Sequence, residues 1–350
     1  MKRHADNPAL RAAYALSAIY PRLRSRTTRA GYRLRRTFAH SLLTYDNQSF
    51  TDGAGAQFQR VLGVYALARD IDAKYLHSPV SLIGYRGTPN SRDKAGDKIL
   101  NELDDLTLIA SDSGAEAMAA RATVVSLSSP RSHELEKHAG TSKHPTLFKI
   151  TLPYQELDRD PAIWNRLRPV LRHQTTRRPP LRIAVHVRRG DNHFVAAERL
   201  LPNSYYISVA QRLGSLLVQL DIPHRFEIFS ETLTIGTRLT PSDFTPGMTS
   251  ESFAVAGDHD RFGEFDALSP VDLHLDTPLM EAIGMMVSAD VLITSKSSLS
   301  IVVGLLNPDR LILFHPFWHA PMAHWVTTSA DGQFNEAHAA KMLRRYLSGT

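Results

Sequence analysis

Residues 181–191 read LRIAVHVRRGD and follow directly on Pro179-Pro180. Five of the first seven are apolar, and two of those are valines, which branch at Cβ. A continuous apolar run with a breaker in front of it predicts a strand buried on both faces, the kind found in parallel sheets. Parallel strands need a crossover, usually a helix, to bring the chain back to the same edge. This run therefore narrows the fold to layered α/β. It ends abruptly in His186, Arg188, Arg189, Gly190 and Asp191. The C-terminal ends of the strands are where ligands bind in an open parallel sheet. Two arginines there have two readings. They are ion-paired or solvated charge, or they grip an anion such as a phosphate, with the glycine allowing the tight turn.

The same alternation continues downstream. The strand at 181–187 is followed by a helix at 204–220 with Ser204 as its N-cap, and strands at 225–229 and 271–275. A helix at 278–287, a strand at 290–293, a polar turn at 294–300, a helix at 300–306, a strand at 310–314 and a helix at 337–347 complete it. Upstream, the pattern gives a strand at 38–45, a glycine turn at 52–57 and a helix at 58–69. Strands at 74–80, 122–127 and 147–152 and a helix at 163–172 come next. Residues 84–98, 128–144 and 236–267 read as polar loops, and 173–180, with its two prolines, as a linker. At 350 residues the chain is long enough for two domains of ordinary size. The expected fold class is therefore α/β and GT-B-like: two Rossmann-like parallel-sheet domains facing across a cleft. The expected boundaries are a tail at 1–36, an N-terminal domain at 37–175 and a C-terminal domain at 176–350.

The net charge of +6 is unevenly placed. Residues 1–36 hold Lys2 and nine arginines against Asp6, a balance of +9, so the remaining 314 residues carry −3. The basic tail is either a loosely docked leader or a contact for acidic lipid headgroups. The acidic balance of the body argues against specific nucleic-acid binding. No apolar run reaches the roughly 18 residues of a membrane helix, and no signal-peptide pattern stands at the start. There are no cysteines, which fits a reducing, cytoplasmic setting with a peripheral membrane contact through the tail. Three D-x-D triplets (Asp70/Asp72, Asp158/Asp160, Asp258/Asp260) lie at helix ends or in loops and read as surface charge, so no metal is expected.

Three strand ends of the second domain carry polar residues: 186–191, then Ser230 and Glu231, then Thr294-Ser-Lys-Ser-Ser-Leu-Ser300. Hydroxyls and backbone N–H groups at a helix start either cap the helix or cradle a phosphate. His186-Val-Arg-Arg-Gly-Asp191 resembles the H-x-R-R-G-D signature of the α1,2-fucosyltransferases and their α1,6- and protein O-fucosyltransferase relatives. Arg199-Leu-Leu-Pro-Asn-Ser-Tyr-Tyr206 is similar to their L-P-x-x-Y-Y stretch, and Phe226-Glu-Ile-Phe-Ser-Glu231 to their F-x-x-F-S-D strand end, with Glu for Asp. Asp290-Val-Leu-Ile-Thr-Ser-Lys-Ser-Ser-Leu-Ser300 resembles their I-x-x-N-S-S-F-S motif, with Lys296 in place of Asn, and 311–318 is similar to their closing strand with Pro and Trp. The 52–57 turn resembles their G-x-G-x-Q segment, with Ala56 where Asn is usual; Ala282 stands where the family usually has Asp, a contact that Glu281 or Asp276 would have to replace.

The resemblance implies GDP-fucose as donor substrate, no cofactor, no metal, and transfer to a glycan or glycoconjugate hydroxyl with inversion, leaning toward the α1,2 type. It places Arg188 and Arg189 on the diphosphate, with His186, Glu231, Ser297, Ser298, Gly53, Gly55 and Gln57 lining the donor side. Asp191, His193 and Glu198, just past the arginine turn, are the candidate bases for the acceptor hydroxyl. Two other readings stay open: another nucleotide sugar on the same scaffold, or a non-catalytic relative that only binds glycan or nucleotide.

Overall fold

The chain's apolar runs become two parallel sheets in the computed structural model, which describes residues 38–46, 53–80, 106–139, 144–172, 179–190, 192, 197–232 and 261–348. Among these, the first unit contains β1 (Ser41–Tyr45), α1 (Ala54–Ile71), β2 (Lys74–Tyr75), α2 (Ala115–Ala119), β3 (Thr123–Leu127), α3 (Ser132–His138), β4 (Thr146–Ile150) and α4 (Tyr154–Arg159), closed by a 3₁₀ segment at Pro161–Val170. The second contains β5 (Leu181–His186), α5 (Asn203–Gln219), β6 (His224–Ser230), β7 (Val271–Leu275), α6 (Leu279–Ser288), β8 (Val291–Ile293), α7 (Ser298–Leu306), β9 (Leu311–Phe314), β10 (Val326–Thr327) and α8 (Glu336–Ser348). Short 3₁₀ turns lie at Ala197–Arg199 and Phe262–Leu268.

Every strand pairing is parallel. The first sheet runs β2-β1-β4-β3 and the second β10-β9-β8-β5-β6-β7. Counted from β5, the second sheet has the strand order 3-2-1-4-5-6 of doubly wound dinucleotide-binding sheets. The order reverses between β5 and β8, and the chain opens a crevice outside the strand ends at such a reversal. The first sheet reverses between β1 and β4.

The helices between the sheets follow from composition. Helix α1 is buried nearly all round, with Phe58, Leu62, Val64, Ala66 and Ala68 essentially inaccessible and Gln57, Gln59 and Arg60 buried beside them. A helix of that kind must be covered on every side. The first sheet, the 3₁₀ segment and α7 cover it. One apolar cluster therefore runs from Phe38 and Phe148 through α1 and α7 to Phe314 and Trp325. A second cluster lies on the other face of the larger sheet, around Val185, Tyr206, Leu213, Ile228 and Leu343. Helices α1 and α7 approach so closely that a Cβ at Gly55 would lie 2.5 Å from the backbone nitrogen of Leu299. Below the larger sheet, the inaccessible Arg310 donates to the carbonyls of Ala289 and Val303, both at 2.9 Å, tying α6 and α7 together.

Several expectations are corrected. The strand at 74–80 is only two residues long. The expected loop at 128–144 contains α3, whose Glu134 carboxylate accepts the Arg131 N–H at 2.6 Å. The expected helix at 163–172 is a 3₁₀ segment carrying Pro161 and Pro169, with Asp160 accepting the Ala162 N–H at 3.2 Å; proline inside it removes the donor an α-helix needs. Helix α5 is capped by Pro202, not Ser204. The boundary at 175/176, the tail at 1–36 and the loop at 84–98 lie outside the described residues. Asp70 pairs with Arg166 at 3.1 Å, and Asp72 caps α1 in the left-handed region at φ 61. Asp158 receives the Ala320 N–H at 3.3 Å. Asp258 and Asp260 lie outside the described residues. No helix among the described residues is long and apolar enough to cross a membrane.

Candidate functional site

Strand β5 delivers His186 to the point where the larger sheet reverses. The neighbouring strand β8 ends at Ile293, and Thr294 and residues 295–297 lead into α7. The two strand ends are joined by side chains: His186 Nδ1 lies 2.7 Å from Ser300 Oγ and 3.3 Å from Ser295 Oγ. Ser300 Oγ accepts the Ser295 N–H at 3.1 Å, so the serine turn is folded around the imidazole. Both serines are inaccessible and His186 is 6% exposed. Ser297 is the N-cap of α7, its hydroxyl accepting the Leu299 N–H at 3.2 Å. Ser298 is the half-buried first residue of the helix. The capping reading thus holds for Ser297, and Ser298 stands at the helix N-terminus, where backbone N–H groups favour an anion.

Burial, reinforced by the charge of Arg188, pushes the His186 pKa down to about 3. The ring is therefore neutral at pH 7. Its folded pKa is below the unfolded value of about 6.5, so its contribution is fully present above that value and is lost as pH falls toward 3. Stability should drop by about 1 kcal/mol per pH unit across that window on account of this residue. Urea melts at pH 7, 6 and 5 test this: the slope should be shallower in His186→Asn, and an identical slope would rule the assignment out.

The two arginines take different positions. Gly190 adopts φ 59, the left-handed turn for which glycine is suited. Arg188 is 21% exposed and donates to Glu231 at 2.8 Å, so the arginine turn of β5 and the end of β6 are bridged at the rim. Arg189 is fully buried; it donates to Asn203 Oδ1 at 2.5 Å and to the Arg188 carbonyl at 3.0 Å, and lies 5.8 Å from the Tyr206 ring centroid. Arg189, expected on the diphosphate, is placed by these bonds between the arginine turn and the start of α5. Glu231 is held in turn: Ser230 Oγ donates to the Val187 carbonyl at 2.7 Å, and the Thr232 N–H donates to Asp276 at 2.8 Å. Asp276, at φ 55, also accepts from the Thr232 hydroxyl, so both its oxygens serve this turn.

Gly53 is the N-cap of α1 in an extended conformation. Gly55 faces Leu299, not open space, and Gln57 is fully buried with its side-chain oxygen accepting from Tyr45. Gly55 thus packs the glycine turn against the first turn of α7, and Gln57 is tied to β1 through Tyr45. Glu198 stands on the Ala197–Arg199 turn with its side chain 75% exposed. Its carbonyl lies 3.5 Å from Lys296 Nζ, and Arg199 stacks 3.9 Å from the Trp318 ring centroid. Asp191 and His193 lie outside the described residues.

Sequence reasoning passed over four contributors. Ser295 and Ser300 sit inside the quoted serine string, but nothing in the string separates hydroxyls that hold the histidine from those that face outward. Asn203 sits in the quoted L-P-x-x-Y-Y stretch, and its role as the partner of Arg189 had no local signal. His315, just past β9, donates its backbone N–H to Thr294 Oγ1 at 3.0 Å and sets its ring edge-on to Tyr205 at 4.8 Å.

The fold and the site define a doubly wound α/β protein with an anion-favouring edge. No protein-family model matches the chain, and no curated protein matches it. Solved structures with which it aligns include POFUT1 in complex with GDP, at 11% identity and a TM-score of 0.40, covering 78% of this chain and 97% of that one. A mutant of Arabidopsis thaliana FUT1 in complex with GDP aligns at 10% identity and a TM-score of 0.36, covering 85% and 75%. The E. coli heptosyltransferase WaaC with ADP-2-deoxy-2-fluoro heptose aligns at 10% identity and a TM-score of 0.35, covering 88% and 99%.

Proposed function

We propose that the protein is an inverting, metal-independent glycosyltransferase that moves fucose from GDP-fucose to a glycan hydroxyl, with the α1,2 type as the leading linkage. The observation that carries this reading is the junction at the sheet reversal, where His186 is bonded to Ser300 and Ser295 beside the N-terminus of α7. It brings together two motifs of the fucosyltransferase resemblance that lie 109 and 114 positions apart in the chain.

As the donor bond breaks, negative charge grows on the β-phosphate and the sugar becomes oxocarbenium-like. Arg188 stabilises that charge from the rim, and the backbone N–H at Ser298 does so from the helix start. Charge-assisted hydrogen bonds of this kind are worth about 1.5–3 kcal/mol each. Fixed donors of this kind give the diphosphate the stabilisation that a metal gives elsewhere. Neutral His186 positions the serine turn, and Arg189 positions Arg188. Glu198, exposed at the same edge, and Asp191 are the candidate bases for the acceptor hydroxyl. The basic tail is the element proposed to touch an acidic membrane surface.

A binding-only reading is favoured by one observation, the engagement of Arg188 with Glu231. Donor cleavage separates the two. With EDTA present, GDP should be released from GDP-fucose, and more slowly or not at all from GDP-mannose and UDP-sugars. GDP binding without cleavage of any donor, even when glycan acceptors are supplied, would favour the binding-only reading.

A further inference from the structure

Two further groups at the same strand edge, Lys296 and His315, carry polar atoms that are poorly matched. Lys296, in the turn before α7, is half-buried, and burial pulls its pKa down. Among the described residues no carboxylate lies within ion-pair distance of it; its hydrogen bond is to the Glu198 carbonyl at 3.5 Å, while the Glu198 side chain is 75% exposed. His315, at the end of the adjacent strand β9, is 6% exposed, and its Nδ1 is buried without a hydrogen-bond partner. Its backbone is bonded to Thr294, so the ring stands beside the serine turn, near enough for the Lys296 charge to help burial lower its pKa to about 4. A half-buried cation whose nearest counter-charge is the exposed Glu198 carboxylate, and a buried ring nitrogen without a partner, are each unfavourable. An anion held beside the start of α7 gives the lysine a closer counter-charge.

Resting on the nucleotide-sugar reading, we propose that Lys296 and His315 form a second phosphate-binding element of the donor site, beside the N-terminus of α7. Lys296 contributes the charge, and the neutral imidazole donates a hydrogen bond to a phosphate oxygen. Lysine occupies the position where the resembling family usually carries asparagine, so this chain holds the diphosphate with one more cation than the motif alone supplies.

Isothermal titration of the full chain with GDP and with guanosine, in EDTA, tests this. Lys296→Met and Lys296→Gln should each weaken GDP binding about tenfold or more and leave guanosine binding unchanged. The dependence of GDP affinity on salt should flatten in both, as one phosphate-bound cation is lost. His315→Phe, which preserves the ring packing on Tyr205, should weaken GDP binding several-fold. Thermal melts check that each variant is folded, and the two lysine variants guard against one failing to fold. If wild type binds GDP and both lysine variants bind it within twofold of wild type, the inference falls while the donor reading stands. If wild type does not bind GDP, the donor reading falls and takes the inference with it.

Discussion

Arg188→Ala should lower the rate of GDP-fucose cleavage by about 10²–10³-fold, the usual effect of removing one preorganised donor from a developing oxyanion. The side chain is 21% exposed at the rim and is bonded to Glu231, so the loss should be functional with only a small change in stability. Arg188→Lys should recover part of the rate, because a point charge remains while the planar fork is lost. Steady-state cleavage with a coupled GDP readout, alongside thermal melts, measures both. A fall of less than about tenfold in a folded Arg188→Ala variant would contradict the assignment.

Gly55→Ala should have the largest effect on the architecture. The added methyl would sit 2.5 Å from Leu299 N and 2.7 Å from Leu299 Cα, and backbone cannot swing aside as a side-chain tip can. Either α1 or α7 must shift. Overpacking of this kind costs about 1–3 kcal/mol and sometimes more. Because Leu299 lies in the first turn of α7, the displacement also moves Ser297, Ser298 and Ser300, and with them the seat of His186. The expected result is a clear loss in denaturant midpoint together with weaker GDP binding. Gly284→Ala is the control. Nothing lies within 4 Å of its would-be Cβ, and it sits inside α6, so alanine should be neutral or stabilising by up to about 1 kcal/mol. Equal destabilisation by the two substitutions would mean that the α1–α7 contact is not what Gly55 serves.

The sheet of the second unit was legible because its strands are buried on both faces and announce themselves as apolar runs. Leu181, Ile183 and Val185, and Leu292 with Ile312, read directly into β5, β8 and β9. Strand order was not legible from those runs, since the reversal between β5 and β8 depends on crossovers rather than on any one segment. The weak readings have local causes. Helix α3 is short and polar, with one buried residue, Leu135, so it presents no apolar face to recognise. Strand β10 is two residues long. The 3₁₀ segment at Pro161–Val170 has apolar residues at helical spacing, but its prolines set the tighter hydrogen bonding.

At the site, residue types were legible and their division of labour was not. The sequence pairs Arg188 with Arg189, yet the turn after β5 leaves one partly exposed beside Glu231 and buries the other against Asn203. The same holds for the serine string, in which Ser295 and Ser300 face His186 while Ser297 caps the helix. The glycine turn reads as an approach to a ligand, and the close approach it makes is to another backbone. In each case a side chain's role depends on which neighbour the tertiary fold supplies.

The most direct measurement of the central claim is a crystal structure of the protein with GDP in the presence of EDTA. The diphosphate should lie outside β5 and β8, with phosphate oxygens within hydrogen-bond distance of Arg188 and of the N-terminus of α7, and no metal between them. GDP seated elsewhere, or a diphosphate that contacts neither Arg188 nor the serine turn, would contradict it.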